Sequence, residues 1–163
     1  MNKISLLVVL IVSTNIFVYS QTSVTHSVKI IASPILELKF DENFNNREFS
    51  FQSISDYDNG KTNLKAAGLR VKSNKSWMVS VKASTPTFTP LTSGNTDILS
   101  NAFFIRKNGS NNTIAIDTFE QSIASGTNGG FDKNSLVFDY IAKPGYILPD
   151  TYSLEITYTL STP

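Results

Sequence analysis

Strict two-residue alternation near the C-terminus constrains this chain most. Tyr152, Leu154, Ile156, Tyr158 and Leu160 alternate with Thr151, Ser153, Glu155, Thr157 and Thr159. On an extended backbone successive side chains point to opposite faces, so one face is apolar and the other polar, the pattern of a half-buried strand. Shorter runs of the same period recur upstream. Leu69 and Val71 alternate with Arg70 and Lys72. Trp77, Val79 and Val81 alternate with Met78, Ser80 and Lys82. The turn-rich Ser73-Asn74-Lys75-Ser76 lies between these two runs, so they read as a hairpin. Phe49 and Phe51 mark a further short strand, as do Leu136, Phe138 and Tyr140. Phe103 to Arg106 is another, ended by Asn108-Gly109, with Ile114 and Ile116 returning from that turn.

Breakers separate these runs: Asp58-Asn59-Gly60, Pro86, Pro90, Gly94, Gly126 to Gly130, Pro144-Gly145 and Pro149-Asp150. No helical period persists long enough to compete. Many short strands between turn signals predict an all-β chain, and about seven to nine strands are too many for one flat sheet of this size. The expected fold is an Ig-like antiparallel β-sandwich.

Residues 1–20 are not expected to belong to it. Lys3 precedes an almost unbroken apolar run from Ile4 to Val12, and Val18 and Ser20 stand three and one residues before Gln21. That is the layout of a secretory signal peptide, and the apolar stretch is shorter than a bilayer span. The expected mature protein is a single domain over 21–163, exported to the cell surface or extracellular space by way of the periplasm. It is not held in a membrane after cleavage. The chain has no cysteine, so an exported domain of this kind must stand on its core alone, without disulfides. Of 14 basic and 13 acidic residues, Lys3 leaves with the signal, so the mature chain is formally neutral. Nucleic acid is not an expected partner, because phosphate binding needs a basic stripe.

Catalytic chemistry has little to draw on. His26 is the single histidine, and with no cysteine and no G-x-S-x-G elbow there is no nucleophile–base pair. One histidine cannot build a zinc site. Asp56-Tyr57-Asp58-Asn59-Gly60 begins like a calcium loop, but its glycine comes one residue early and no glutamate follows in place, so it reads as a turn. Asp132 and Asp139 are too scattered to add ligands. Five glutamates, Glu37, Glu42, Glu48, Glu120 and Glu155, offer no pair on one strand. Ser125-Gly126-Thr127-Asn128-Gly129-Gly130 lacks the Gly-Lys pair of a phosphate loop. No enzyme, cofactor or metal is expected. Trp77, in phase with Val79 and Val81, is assigned to the core. Phe44, Tyr57 and Tyr146 lie in loop-like sequence and are the candidate exposed contact aromatics.

The segment from Val24 to Phe40 admits two readings. Val24, His26, Val28 and Ile30 share one face and Thr25, Ser27, Lys29 and Ile31 the other, until Pro34 breaks the run and Ile35 to Phe40 resumes it. It is either an ordinary first strand that switches sheets at the proline, or a detachable strand that completes a neighbour's sheet.

Two stretches carry a family resemblance: Leu69-Arg70-Val71-Lys72-Ser73-Asn74-Lys75-Ser76-Trp77-Met78-Val79-Ser80-Val81, and Leu148-Pro149-Asp150-Thr151-Tyr152 through Leu160. Together they resemble small exported bacterial surface domains of the fimbrial-subunit and spore-coat-protein-U-like kind, particularly those of Bacteroidetes. The single tryptophan, followed by Met78 and Val79, sets the chain apart from the related WxL surface domains. The resemblance implies a structural or adhesive subunit whose partners are other surface subunits or copies of itself. Val24, His26, Val28 and Ile30 would then form the assembly strand. Tyr152, Leu154, Ile156, Tyr158 and Leu160 would form the closing strand at the receiving edge. The alternative is a free-standing secreted module that binds glycan or protein through its loops.

Overall fold

The computed structural model describes residues 21–92 and 98–163. The expected signal peptide, residues 1–20, lies outside the described residues. Contacts divide the chain into a unit ending at Ala32 and a second unit, Ser33–Pro163. In the first unit, residues 21–32 form no regular secondary structure, and Val24, Val28, Ile30 and Ile31 are all at least 76% exposed. The reading of Val24 to Phe40 as an ordinary first strand that switches sheets at the proline is therefore corrected for the part before Pro34, while Leu36 to Phe40 do form a strand.

The second unit is an all-β sandwich. Its strands are β1 (Leu36–Asn45), β2 (Lys61–Ser73), β3 (Trp77–Ala83), β4 (Thr89–Pro90), β5 (Phe103–Lys107), β6 (Thr113–Ala115), β7 (Gln121–Gly126), β8 (Ser135–Ala142), β9 (Tyr152–Ser153) and β10 (Ile156–Ser161). A short helix, α1 (Ile54–Asn59), precedes β2, and a 3-10 turn (Ser100–Ala102) precedes β5. One sheet has the order β1-β2-β8-β5-β6, the other β10-β3-β7, and β4 and β9 form a small ribbon. All pairings are antiparallel.

The inward faces of the two main sheets make the core. Leu69 and Val71 of β2, Ile105 of β5, and Leu136, Phe138 and Tyr140 of β8 pack with Trp77, Val79, Val81 and Ala83 of β3. The Trp77 indole N–H donates to the Thr127 carbonyl at 2.9 Å, so the one polar atom of this core ring is satisfied. Its ring lies where a side chain at Gly126 would have to go.

Three local expectations change. The β2–β3 hairpin does not form: β2 pairs with β1 and β8, while β3 pairs with β10 and β7. Ser73 to Ser76 carries the chain from one sheet to the other, held by Asn74, whose side chain accepts from the Ile35 amide and donates to the Ser33 carbonyl. The physical reason is that Leu69, Val71, Trp77, Val79 and Val81 bury more surface stacked face to face than side by side. Phe49 and Phe51 are not in a strand. Phe49 packs edge-on against Phe103 and Phe51 against Tyr57, so their spacing serves two separate contacts. Asp56 to Gly60 is not a simple turn but the body and end of α1. Ser53 Oγ accepts from the Asp56 amide, and the Asp56 carboxylate accepts from the amides of Ser53 and Gln52. This reciprocal cap sets the helix start, and those amide bonds hold the Asp56 carboxyl below its usual range.

Candidate assembly groove and surface aromatic cluster

The two sheets are unequal, five strands against three, and an edge of each meets the other through Phe40 and Tyr158. There β1 is the edge of the larger sheet and β10 the edge of the smaller. Leu36, Leu38 and Phe40 share one face of β1. Leu38 packs on the core, but Leu36 and Phe40 each remain 43% exposed. Phe40 meets Tyr158 of β10 edge-on, with ring centroids 5.9 Å apart. Between the edges lies a groove of about 200 Å³ lined by Leu38, Lys39, Phe40, Leu69 and Tyr158. Beneath it the Tyr158 and Tyr140 hydroxyls satisfy one another through a 2.7 Å hydrogen bond. Burial first, then the neighbouring Tyr140, pushes the Tyr158 phenol well above its ordinary value.

The two edges differ in character. The opposite face of β1 is charged, with Lys72 paired to Glu37 and Arg70 to Asp41, and the strand is irregular after Phe40. By contrast, β10 reads Ile-Thr-Tyr-Thr-Leu-Ser and pairs with β3 in unbroken register from Ile156 to Ser161. Natural edge strands are usually blunted by charge, proline or a bulge, and β10 has none of these.

The expected closing strand is divided. Tyr152 belongs to β9, which pairs with β4, while Ile156, Tyr158 and Leu160 belong to β10, with Leu154 between them. The alternation survives the break because Leu154, Ile156, Tyr158 and Leu160 all pack against the core. The core residues Trp77, Val79 and Val81 are each at most 2% exposed. His26 is exposed in the N-terminal unit.

Of the candidate contact aromatics, Phe44 is half-buried, its ring lying over Gly68 on the outer face of β2. Tyr57 and Tyr146 meet. Tyr57 of α1 stacks on Tyr146 of the loop after β8, with centroids 5.5 Å apart and planes at 16°. Phe51 supports Tyr57 from another side at 5.6 Å. The Tyr146 hydroxyl donates to Asp58 Oδ1 at 2.8 Å, which raises the phenol above its ordinary value. The end of α1 is tied to the end of β8 at Gly60, where φ is 74° and a side chain would strike the Ala142 carbonyl.

One acidic residue is nearly inaccessible. Asp139, 1% exposed, accepts from the Lys65 amide (2.9 Å), Arg106 Nη2 (2.8 Å) and Nε (3.2 Å), and Asn108 Nδ2 (2.8 Å). Lys65 sits in the irregular stretch of β2 with φ 52°, a left-handed conformation held by this bond. All of Asp139's acceptor capacity is spent on the fold, so it is a structural anchor. Among the described residues no group of three His, Asp or Glu side chains could hold a metal. None of their helices is long and apolar enough to cross a membrane.

Sequence inspection missed the groove residues Leu38, Phe40 and Leu69 as a group, and Asp58 as the partner of Tyr146. Alternation marked the first three only as strand residues, and nothing local marked Asp58. In comparisons with known proteins, no family model matches the sequence, and no curated protein matches it.

Proposed function

We propose that this chain is a non-catalytic, exported surface subunit of the fimbrial-subunit and spore-coat-protein-U-like kind, structural or adhesive. In this reading, residues 24–31 of one copy are laid along β10 of the next. The observation that carries it is the free edge of the smaller sheet: β10 is uncharged, regular and paired on one side only, and Leu36 and Phe40 of the neighbouring β1 are left half-covered. An added strand would pair with β10 through its backbone and turn alternate side chains toward the groove. Val24, His26, Val28 and Ile30 have the needed period, and the three aliphatic ones are exposed within their own chain. Burying Val28 and Ile30 would contribute about 1.5–3 kcal/mol each. Export rests on the signal-peptide pattern of residues 1–20.

Polymers completed in this way dissociate slowly, so surface material run unheated on a denaturing gel is expected to give a ladder that collapses to one band on boiling. Val28→Asp or Ile30→Asp, each placing a charge in the groove, should abolish the ladder while leaving the melting temperature of the isolated chain unchanged. A ladder that survives both substitutions refutes strand addition. A single band in both lanes of the wild type points instead to the free-standing binding module.

A further inference from the structure

We infer that Tyr146, braced by Tyr57 and Asp58, is a stacking platform for the ring face of an uncharged sugar. A lone exposed tyrosine means nothing, since single apolar residues are common on surfaces. Tyr146 is different because it is immobilised. One ring face is stacked on Tyr57, its hydroxyl is held by Asp58, and it still remains 71% exposed. The free face is therefore pre-organised, and the ordering cost of binding has been met on folding. The support continues inward: Tyr57 rests on Phe51 and its hydroxyl donates to the Phe51 carbonyl at 3.3 Å.

The chemistry of such a face selects its ligand. An aromatic face carries partial negative charge and attracts the weakly positive C–H bonds on the flat side of a pyranose. Asp58 keeps a carboxylate at the platform's edge, with acceptor capacity to spare for sugar hydroxyls after accepting the hydrogen bond from Tyr146. The same charge repels carboxylated or sulfated glycans. Along the chain its neighbours are mixed, with Ser55, Asn59 and Lys143 polar and Ile54 and Leu148 exposed and apolar, so the choice of a sugar rests on the aromatic face and the Asp58 carboxylate. The inference does not depend on strand addition, because every residue in it lies outside both the N-terminal segment and the groove.

The test is native electrophoresis of the full mature chain in gels cast with galactomannan, xyloglucan or a β-1,3-glucan, with alginate as the anionic comparison. At least one neutral polysaccharide should retard the wild type and alginate should not. Tyr146→Ala should weaken the retardation by about tenfold or more, the change expected on truncating an anchoring aromatic. Asp58→Ala, which keeps the ring but frees it, should weaken it less. Phe119→Ala, an exposed aromatic elsewhere at 62% exposure, should behave as wild type. Val28→Asp, tested the same way, separates this inference from assembly, because it should still be retarded. Absence of retardation in all three neutral gels, equal retardation of Tyr146→Ala and wild type, or retardation by alginate matching the neutral glycans would each overturn the inference.

Discussion

Replacing Asp139 by alanine removes one carboxylate and strands every group that it serves. The Lys65 amide and the Asn108 side-chain amide lose their acceptor, and Arg106 loses its ion-pair partner in a region where its side chain is only 25% exposed. Each buried donor left without a partner costs about 1–3 kcal/mol. Breaking a buried charge pair from one side costs about 3–5 kcal/mol in total, because the surviving charge is not resolvated. That is a large part of the roughly 5–15 kcal/mol available to a domain, so the melting temperature should fall by roughly 10–20 °C. Asp139→Asn should be nearly as damaging, since its amide NH₂ would face donors where a carboxylate oxygen now accepts. The pH dependence has a definite sign. Burial pushes the Asp139 carboxyl up, but the bonds from Lys65, Asn108 and Arg106 together outweigh it and the net shift is downward. A depressed carboxyl contributes stability that is complete above its unfolded value near 3.9 and lost as pH falls through the folded value. Calorimetry or thermal circular dichroism from pH 7 down to pH 2 should therefore show wild type and Asp139→Asn converging below about pH 4. Asp56, also depressed, is common to both proteins and cancels in the comparison. A loss below about 1 kcal/mol, or a wild-type advantage as large at pH 2 as at pH 7, would refute the assignment of Asp139 as the anchor of this network.

Two further outcomes follow from the core. Gly126→Ala places a methyl group 2.2 Å from Trp77 Cζ2, against a ring pinned by its bond to Thr127. It should cost about 1–3 kcal/mol and alter the near-ultraviolet circular dichroism of the single tryptophan. Burial raises the phenols of both Tyr140 and Tyr158, so the stability that these groups contribute is present below about pH 10 and lost as pH rises through their folded values. In an alkaline titration followed at 295 nm they should ionise last, together with unfolding. Tyr158→Phe should remove one of those late phenols, and early ionisation of all five tyrosines of residues 21–163 would count against the burial of this pair.

Alternation by itself determined the class of this protein. The runs at Leu69–Val71, Trp77–Val81, Leu136–Tyr140 and Ile156–Leu160 are all strands, and their apolar members all face the core. Period and polarity are local properties, and these runs took the strand reading where an apolar core lay ready to receive one face, whereas Phe49 and Phe51 and the run from Val24 to Ile31 have the period without the strand. Which strand lies beside which was decided only in three dimensions. Alternation tells a residue which face to take but not which neighbour, so β2 and β3 read as a hairpin although they belong to opposite layers. Inward packing of their large side chains selected the layers. The same blindness hid Asp139, which alternates out of phase with Phe138 and Tyr140 and in the sequence was only an acid too scattered to add ligands. It is buried because the irregular stretch of β2 turns the Lys65 amide, and β5 turns Arg106, onto it. Tyr57 and Tyr146 were each legible as loop aromatics, but their stacking, and the Tyr146–Asp58 bond across 88 positions of sequence, depended on α1 and the loop after β8 leaving the same end of the sandwich. The groove is likewise a property of strand order. Leu38, Phe40, Leu69 and Tyr158 are ordinary strand residues in the sequence, and they become a cleft only because the edge strands of two different sheets, β1 and β10, come together.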